Sequence, residues 1–201
     1  MKNFSQLSDN DGELLVKTAR LIVTEYLKNR SKIKLDQSFE SNFSFKSGVF
    51  VTLNTAMGLR GCVGFPLPEK KLYNALSEAA IAAATEDPRF PLVNAVELDQ
   101  ITFEVIVLTP PEVIHISDTM EYPSKIKVGR DGLIVKHGFN SGLLLPQVSV
   151  EYGWTEEEFL SHTCEKAGLP GNCWKEKETQ VQKFEGIVFK EETPNGKVVR
   201  K

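Results

Sequence analysis

The sequence predicts an α+β fold built on mainly antiparallel sheet, and three observations carry that expectation. Apolar residues recur at helical spacing in three segments and alternate with polar ones at period two in several others. The β segments are joined by short turns rather than by the long crossovers that parallel pairing needs. At 201 residues the chain is within reach of one domain, residues 1–201, with two sub-lobes.

The first helix opens on a capping-box pattern at Ser8 and Asp11, continues through Leu15, Ala19, Ile22 and Tyr26, and ends near Lys28-Asn29-Arg30. Residues 31–46 are polar with scattered Phe39, Phe43 and Phe45 and read as an extended connection. Val49, Val51 and Leu53 lie on one side of a strand over residues 48–54, so Cys62 is expected just after a strand. After Pro66 and Pro68, an alanine-rich face from Ala75 to Ala83 defines a second helix that stops at Asp87-Pro88, because the residue before a proline is pushed out of the helical region. Residues 101–108 alternate as a strand. Further β structure is expected at Ile126 and Val128, at residues 133–135 and at residues 143–145, with Asp131-Gly132 as a tight hairpin. Thr155 and Glu158 cap a third helix that closes at Gly168. Residues 181–189 read as a last strand and residues 193–201 as a frayed tail.

Composition excludes several classes of function. Apolar residues make up 41% and charged residues 25%, and 24 basic against 27 acidic residues leave a formal charge of −3 without a basic, aromatic-interleaved patch, so nucleic acid is not an expected partner. No apolar run reaches membrane-spanning length and no signal-peptide pattern stands at the start, which points to a cytoplasmic protein. Cys62, Cys164 and Cys173 are odd in number and lack C-x-x-C spacing, so reduced thiols are expected. With His162 they are too sparse for a zinc site, and no cofactor box stands out, so neither metal nor cofactor is expected.

The stretch Leu59-Arg60-Gly61-Cys62-Val63-Gly64 carries the densest chemistry: a thiol between two glycines beside a guanidinium. A cation favours the thiolate, and Gly61 and Gly64 permit positive φ or close approach of another group. A free cysteine also serves commonly as a small buried hydrophobe. Arg60 either activates Cys62, binds an anion or makes a structural ion pair; Arg89 either clamps a ligand or pairs locally with Glu86 or Asp87. His137, at a strand end, is a candidate base for the thiol, against the alternative of a solvated imidazole. Gln147 after Pro146 is a candidate ligand reader, against a turn-capping role.

Taken in order, that hexapeptide, Asp87-Pro88-Arg89-Phe90-Pro91, the run from Gly129 to Val135 and the run from Gly142 to Val148 resemble the sequence blocks of the AMMECR family. Phe65-Pro66-Leu67-Pro68 is similar to the archaeal members. The resemblance implies a two-lobed α+β protein with a cleft between the lobes, and partnership with a Memo-type protein and a radical S-adenosylmethionine protein. Two functions follow as expectations. One is a cysteine-dependent enzyme acting on a small molecule, with Cys62, Arg60 and His137 catalytic and Gly61, Gly64, Arg89 and Gln147 binding the ligand. The other is a non-enzymatic ligand-binding or adaptor module in which Cys62 is a packing residue.

Overall fold

The computed structural model describes residues 4–201 and divides into two compact units, one formed by the chain up to Leu108 together with Ile187–Lys201, the other by Thr109–Gly186. The fold is α+β and the strand pairs described are antiparallel.

In the first unit, helix α1 (Asp9–Asn29) begins as the capping box requires: Asp11 N–H donates to Ser8 Oγ at 3.2 Å while the Asp11 carboxylate accepts from Ser8 N–H at 2.9 Å. The segment expected to be extended contains a short helix, α2 (Gln37–Asn42), capped by Asp36. Phe39 and Phe43 pack with tilted rings, centroids 4.7 Å apart, and are buried, which supplies the packing that its few residues of helical propensity do not. Strands β1 (Gly48–Thr55) and β2 (Gly58–Phe65) form a hairpin, and β3 (Thr102–Leu108) pairs with the other side of β1. Val49, Val51 and Leu53 of β1 and Phe103, Val105 and Val107 of β3 share one face and are buried against α1 and α3 (Leu72–Thr85). The alanine face of α3 is core, as its small side chains allow close approach to the sheet.

The second unit holds β4 (Glu112–Val113), α4 (Tyr122–Lys125), β5 (Asp131–His137), β6 (Asn140–Leu144), α5 (Pro146–Glu151) and α6 (Glu156–Lys166). Ile126 and Val128 follow α4 into a turn instead of forming a strand, because Pro123 sits in the first helical turn and Gly129 takes φ +81°. Asp131 begins β5 rather than turning a hairpin; its buried carboxylate accepts from Lys127 N–H and from Arg130. The capping box of α6 is present on Thr155 and Glu158.

Strand β7 (Gln180–Glu191) pairs with β5 and β4 in its first part. In its last part it pairs with β8 (Val198–Arg200), so the tail expected to fray is a β-hairpin instead. Asn195 takes φ +57° in that turn, a conformation asparagine tolerates better than most residues.

The expectation of three reduced thiols is overturned: Cys164 of α6 and Cys173 form a buried disulfide, with Cα atoms 5.9 Å apart. Sequence spacing did not suggest it, because the pair is made by α6 turning back through Gly168 (φ +74°) to lay residue 173 against its own last turn. The two cysteines are nine residues apart, and closing a loop of that size is worth about 3 kcal/mol by chain entropy. Replacing both Cys164 and Cys173 by alanine is therefore expected to lower unfolding free energy by roughly 2–3 kcal/mol in urea titration. An equally stable variant rules out a stapling role.

Candidate functional site

Cys62 lies in the middle of β2 rather than after a strand, and is half-buried. It stands opposite Thr52 in β1, which stands opposite Glu104 in β3. Because directly opposed residues share a face, Cys62, Thr52 and Glu104 form a row on the side of the sheet opposite Val51 and Val105. Thr52 Oγ1 donates to Cys62 Sγ at 3.3 Å, and Lys190 Nζ of β7 stands 4.0 Å from Glu104 Oε2. Burial pushes the Glu104 carboxyl up from its ordinary range, with Lys190 opposing.

The peptide of Cys62 is held from outside the sheet. Its N–H donates to Asp87 Oδ2 at 2.8 Å and its carbonyl accepts from Arg89 Nη2 at 3.4 Å. In an antiparallel pair alternate residues turn both backbone groups away from the partner strand, and Asp87 and Arg89 occupy the outward pair at Cys62 as a further strand would. Asp87 also accepts from Arg89 Nε at 3.0 Å, Arg89 Nη2 at 2.8 Å and Arg89 N–H at 3.1 Å. Its side chain is 3% exposed. Hydrogen bonding to the Arg89 guanidinium, with the Cys62 and Arg89 amides, holds the Asp87 carboxyl well below the usual carboxylate range against the opposing effect of burial.

Each residue singled out in the sequence has a definite place. Arg60 does not act on the thiol: Nε and Nη2 donate to Glu97 at 2.8 and 3.1 Å, and the remaining donors reach the carbonyls of Pro91 and Leu92 at 2.9 and 3.2 Å. A regular strand puts residues two apart on one face, but the register shifts between Leu53 and Asn54, and that bulge re-aims Arg60. Glu97 is lowered by the Arg60 hydrogen bond and by Asn94 N–H. Gly61 has no positive φ; a Cβ there would stand 2.1 Å from the Ala83 carbonyl oxygen of α3. At Gly64 a Cβ would stand 2.4 Å from the Phe50 ring. Both glycines serve close approach within the protein. Arg89 makes the local pair with Asp87.

The Cys62 thiol itself sits above its ordinary pKa: burial raises it, while the Thr52 hydrogen bond and Arg89 oppose, and Asp87 and Glu104 add to the rise. His137 is not among the groups that bear on it. That imidazole ends β5 in the second unit, with Nδ1 2.9 Å from Thr179 Oγ1. Gln147 is exposed on α5. The cation next to the thiol is thus Arg89, and it is already matched by Asp87. Sequence reading missed Thr52, Glu104 and Lys190, whose polarity within apolar strands is visible but whose cross-strand register is not. Among the described residues no cluster of His, Cys, Asp and Glu has the density of a metal site.

The AMMECR1 family model matches residues 16–189 of this chain. The chain is 54% identical over 201 residues to a protein of Thermococcus gammatolerans, covering 98% of each, and 48% identical over 197 residues to a protein of Methanocaldococcus jannaschii, covering 97% of each. It is also similar to the crystal structure of an uncharacterised protein from Pyrococcus horikoshii, with TM-score 0.87, 51% identity and coverage of 97% of this chain and 98% of that one.

The geometry at Asp87 gives a pH prediction. Its folded pKa is depressed, so the stability it contributes is fully present above the unfolded carboxyl value of about 3.9 and is lost as pH falls through the lower folded value. Asp87→Asn is expected to cost about 1–2 kcal/mol at pH 7, since the buried carboxylate loses its charge-assisted hydrogen bonds while Arg89, more than half exposed, stays solvated, and to flatten the acid limb of the stability curve below about pH 4. Urea unfolding across pH measures both. An Asp87→Asn variant with the wild-type acid limb would exclude Asp87 as its source.

Proposed function

The chain belongs to the AMMECR1 family, and from that premise we propose that it works in the cytoplasm as a non-enzymatic ligand-binding module in which Cys62 stays a neutral, packed thiol. The observation that carries this reading is the pairing of every charged group around the thiol: Arg60 with Glu97, Arg89 with Asp87, Glu104 with Lys190. A nucleophilic cysteine needs a base or an unmatched cation within hydrogen-bond reach. Burial instead raises the Cys62 pKa, and the Thr52 hydroxyl that donates to its Sγ offsets that rise only in part.

In the row of Cys62, Thr52 and Glu104 the thiol and the carboxylate are partly exposed, as is Phe50 on the same face, while Thr52 and Ile106 are buried, so the ligand contacts fall to Glu104 and Phe50 beside Cys62. Glu104 and Lys190 supply acceptor and donor, and the thiol supplies only packing beside them. The partnership with Memo-type and radical S-adenosylmethionine proteins, expected from the family resemblance, belongs to this proposal as the source or destination of the ligand.

Two measurements test it. With Cys164 and Cys173 in a disulfide, Cys62 is the free thiol of the unreduced protein, so its alkylation by iodoacetamide reads one group. The midpoint is expected above the ordinary thiol value of about 8.5. In untargeted metabolite retention by mass spectrometry, Glu104→Gln is expected to lose the retained molecule and Cys62→Ala to keep it. A midpoint well below about 8.5, or a covalent adduct on Cys62, reverses the assignment in favour of a cysteine-dependent enzyme.

A further inference from the structure

The second unit contains a cavity of about 560 Å³ whose lining includes Ile116, Asp118, Tyr122, Lys175, Lys177 and Thr179, and we propose that it binds a small organic anion carrying a carboxylate or phosphate group. It is independent of the sheet row at Cys62, and its volume falls in the range of small-ligand sites, about 300–1,000 Å³.

The charges on its wall favour an anion. Lys175 and Lys177 both line it, and neither forms an ion pair with a carboxylate of the described residues. Lys175 Nζ instead lies 4.8 Å over the ring of Trp174, a contact that positions the ammonium without neutralising it. The single lining carboxylate, Asp118, is turned to its own backbone: Oδ1 accepts from Met120 N–H at 2.9 Å.

Behind the lysines the wall is polar and fixed. Tyr122 and Thr179 are each 4% exposed. Tyr122 Oη donates to the Thr179 carbonyl at 3.4 Å, and Thr179 Oγ1 donates to the Cys173 carbonyl at 2.6 Å. Since the Thr179 hydroxyl proton is already given to Cys173, its 2.9 Å contact with His137 Nδ1 requires that nitrogen to be the donor. Thr179 retains one acceptor site and Tyr122 its acceptor lone pairs. The anionic end of the ligand lies at Lys175 and Lys177, its donors face Thr179 and Tyr122, and its apolar body rests on Ile116 and the Tyr122 ring. The disulfide at Cys173 anchors the segment that supplies both lysines.

Isothermal titration with phenyl phosphate, benzoate and inorganic phosphate tests this on the 201-residue chain. The two aromatic anions are expected to bind more tightly than inorganic phosphate, and the stronger of the two identifies the anionic group. The double variant Lys175→Ala/Lys177→Ala is expected to lose at least about tenfold in affinity, equivalent to about 1.4 kcal/mol, and Lys175→Arg/Lys177→Arg to restore it. Asp118→Asn keeps the capping acceptor, removes the opposing charge, and is expected to tighten binding about threefold. Both lysines are exposed, so thermal melting of the variants is expected to match the wild type. Absence of binding by all three probes, or equal binding by the double alanine variant, overturns the proposal.

Discussion

The Asp87 carboxylate is the one group on which the arrangement around Cys62 depends. It joins the end of the α3 segment to the edge of β2 by accepting simultaneously from the Cys62 amide and from the Arg89 guanidinium and amide. A buried carboxylate is costly unless paired and hydrogen-bonded, and here four donors meet it. The same contact blunts the edge of β2 at Cys62, because the outward backbone groups of that residue are occupied by side chains. Sequence blocks 25 residues apart thus act as one device.

Much of the secondary structure is legible because its causes are local. The Ser8 and Thr155 capping boxes, the proline stop after α3 and the period-two pattern over residues 101–108 are each decided within a few residues. The failures have the opposite character. Helix α2 exists because Phe39 and Phe43 reach the core, β8 because β7 offers it an edge, and the disulfide because α6 folds back on its own loop. The family blocks were visible as strings of residues, and the comparisons agree with them.

The site was legible as a location and misread as chemistry. Arg60 is a candidate activator of Cys62 as its near neighbour in sequence, and a register shift between Leu53 and Asn54 turns it elsewhere. Arg60 then serves to tie β2 to Pro91, Leu92 and Glu97, while the cation that reaches the thiol comes from the other block. The glycines follow the same logic. Gly61 admits the Ala83 carbonyl and Gly64 admits the Phe50 ring, so the pattern around Cys62 is that of residues small enough for a strand pressed on one side by a helix end and on the other by a ring.

The disulfide and the neutral thiol are mutually consistent, and this bears on why one cysteine stays free. Thiol–disulfide exchange proceeds through the thiolate, so a thiol whose pKa is raised by burial attacks slowly at neutral pH. Cys62 is such a thiol, since burial raises its pKa by more than the Thr52 hydrogen bond and Arg89 lower it. The Cys164–Cys173 sulfurs are at most 1% exposed as residues, which denies an attacker access from the other side. Low thiolate fraction at one site and burial at the other therefore keep the bond between Cys164 and Cys173 from shuffling to Cys62, and the chain can hold three cysteines in one stable pairing.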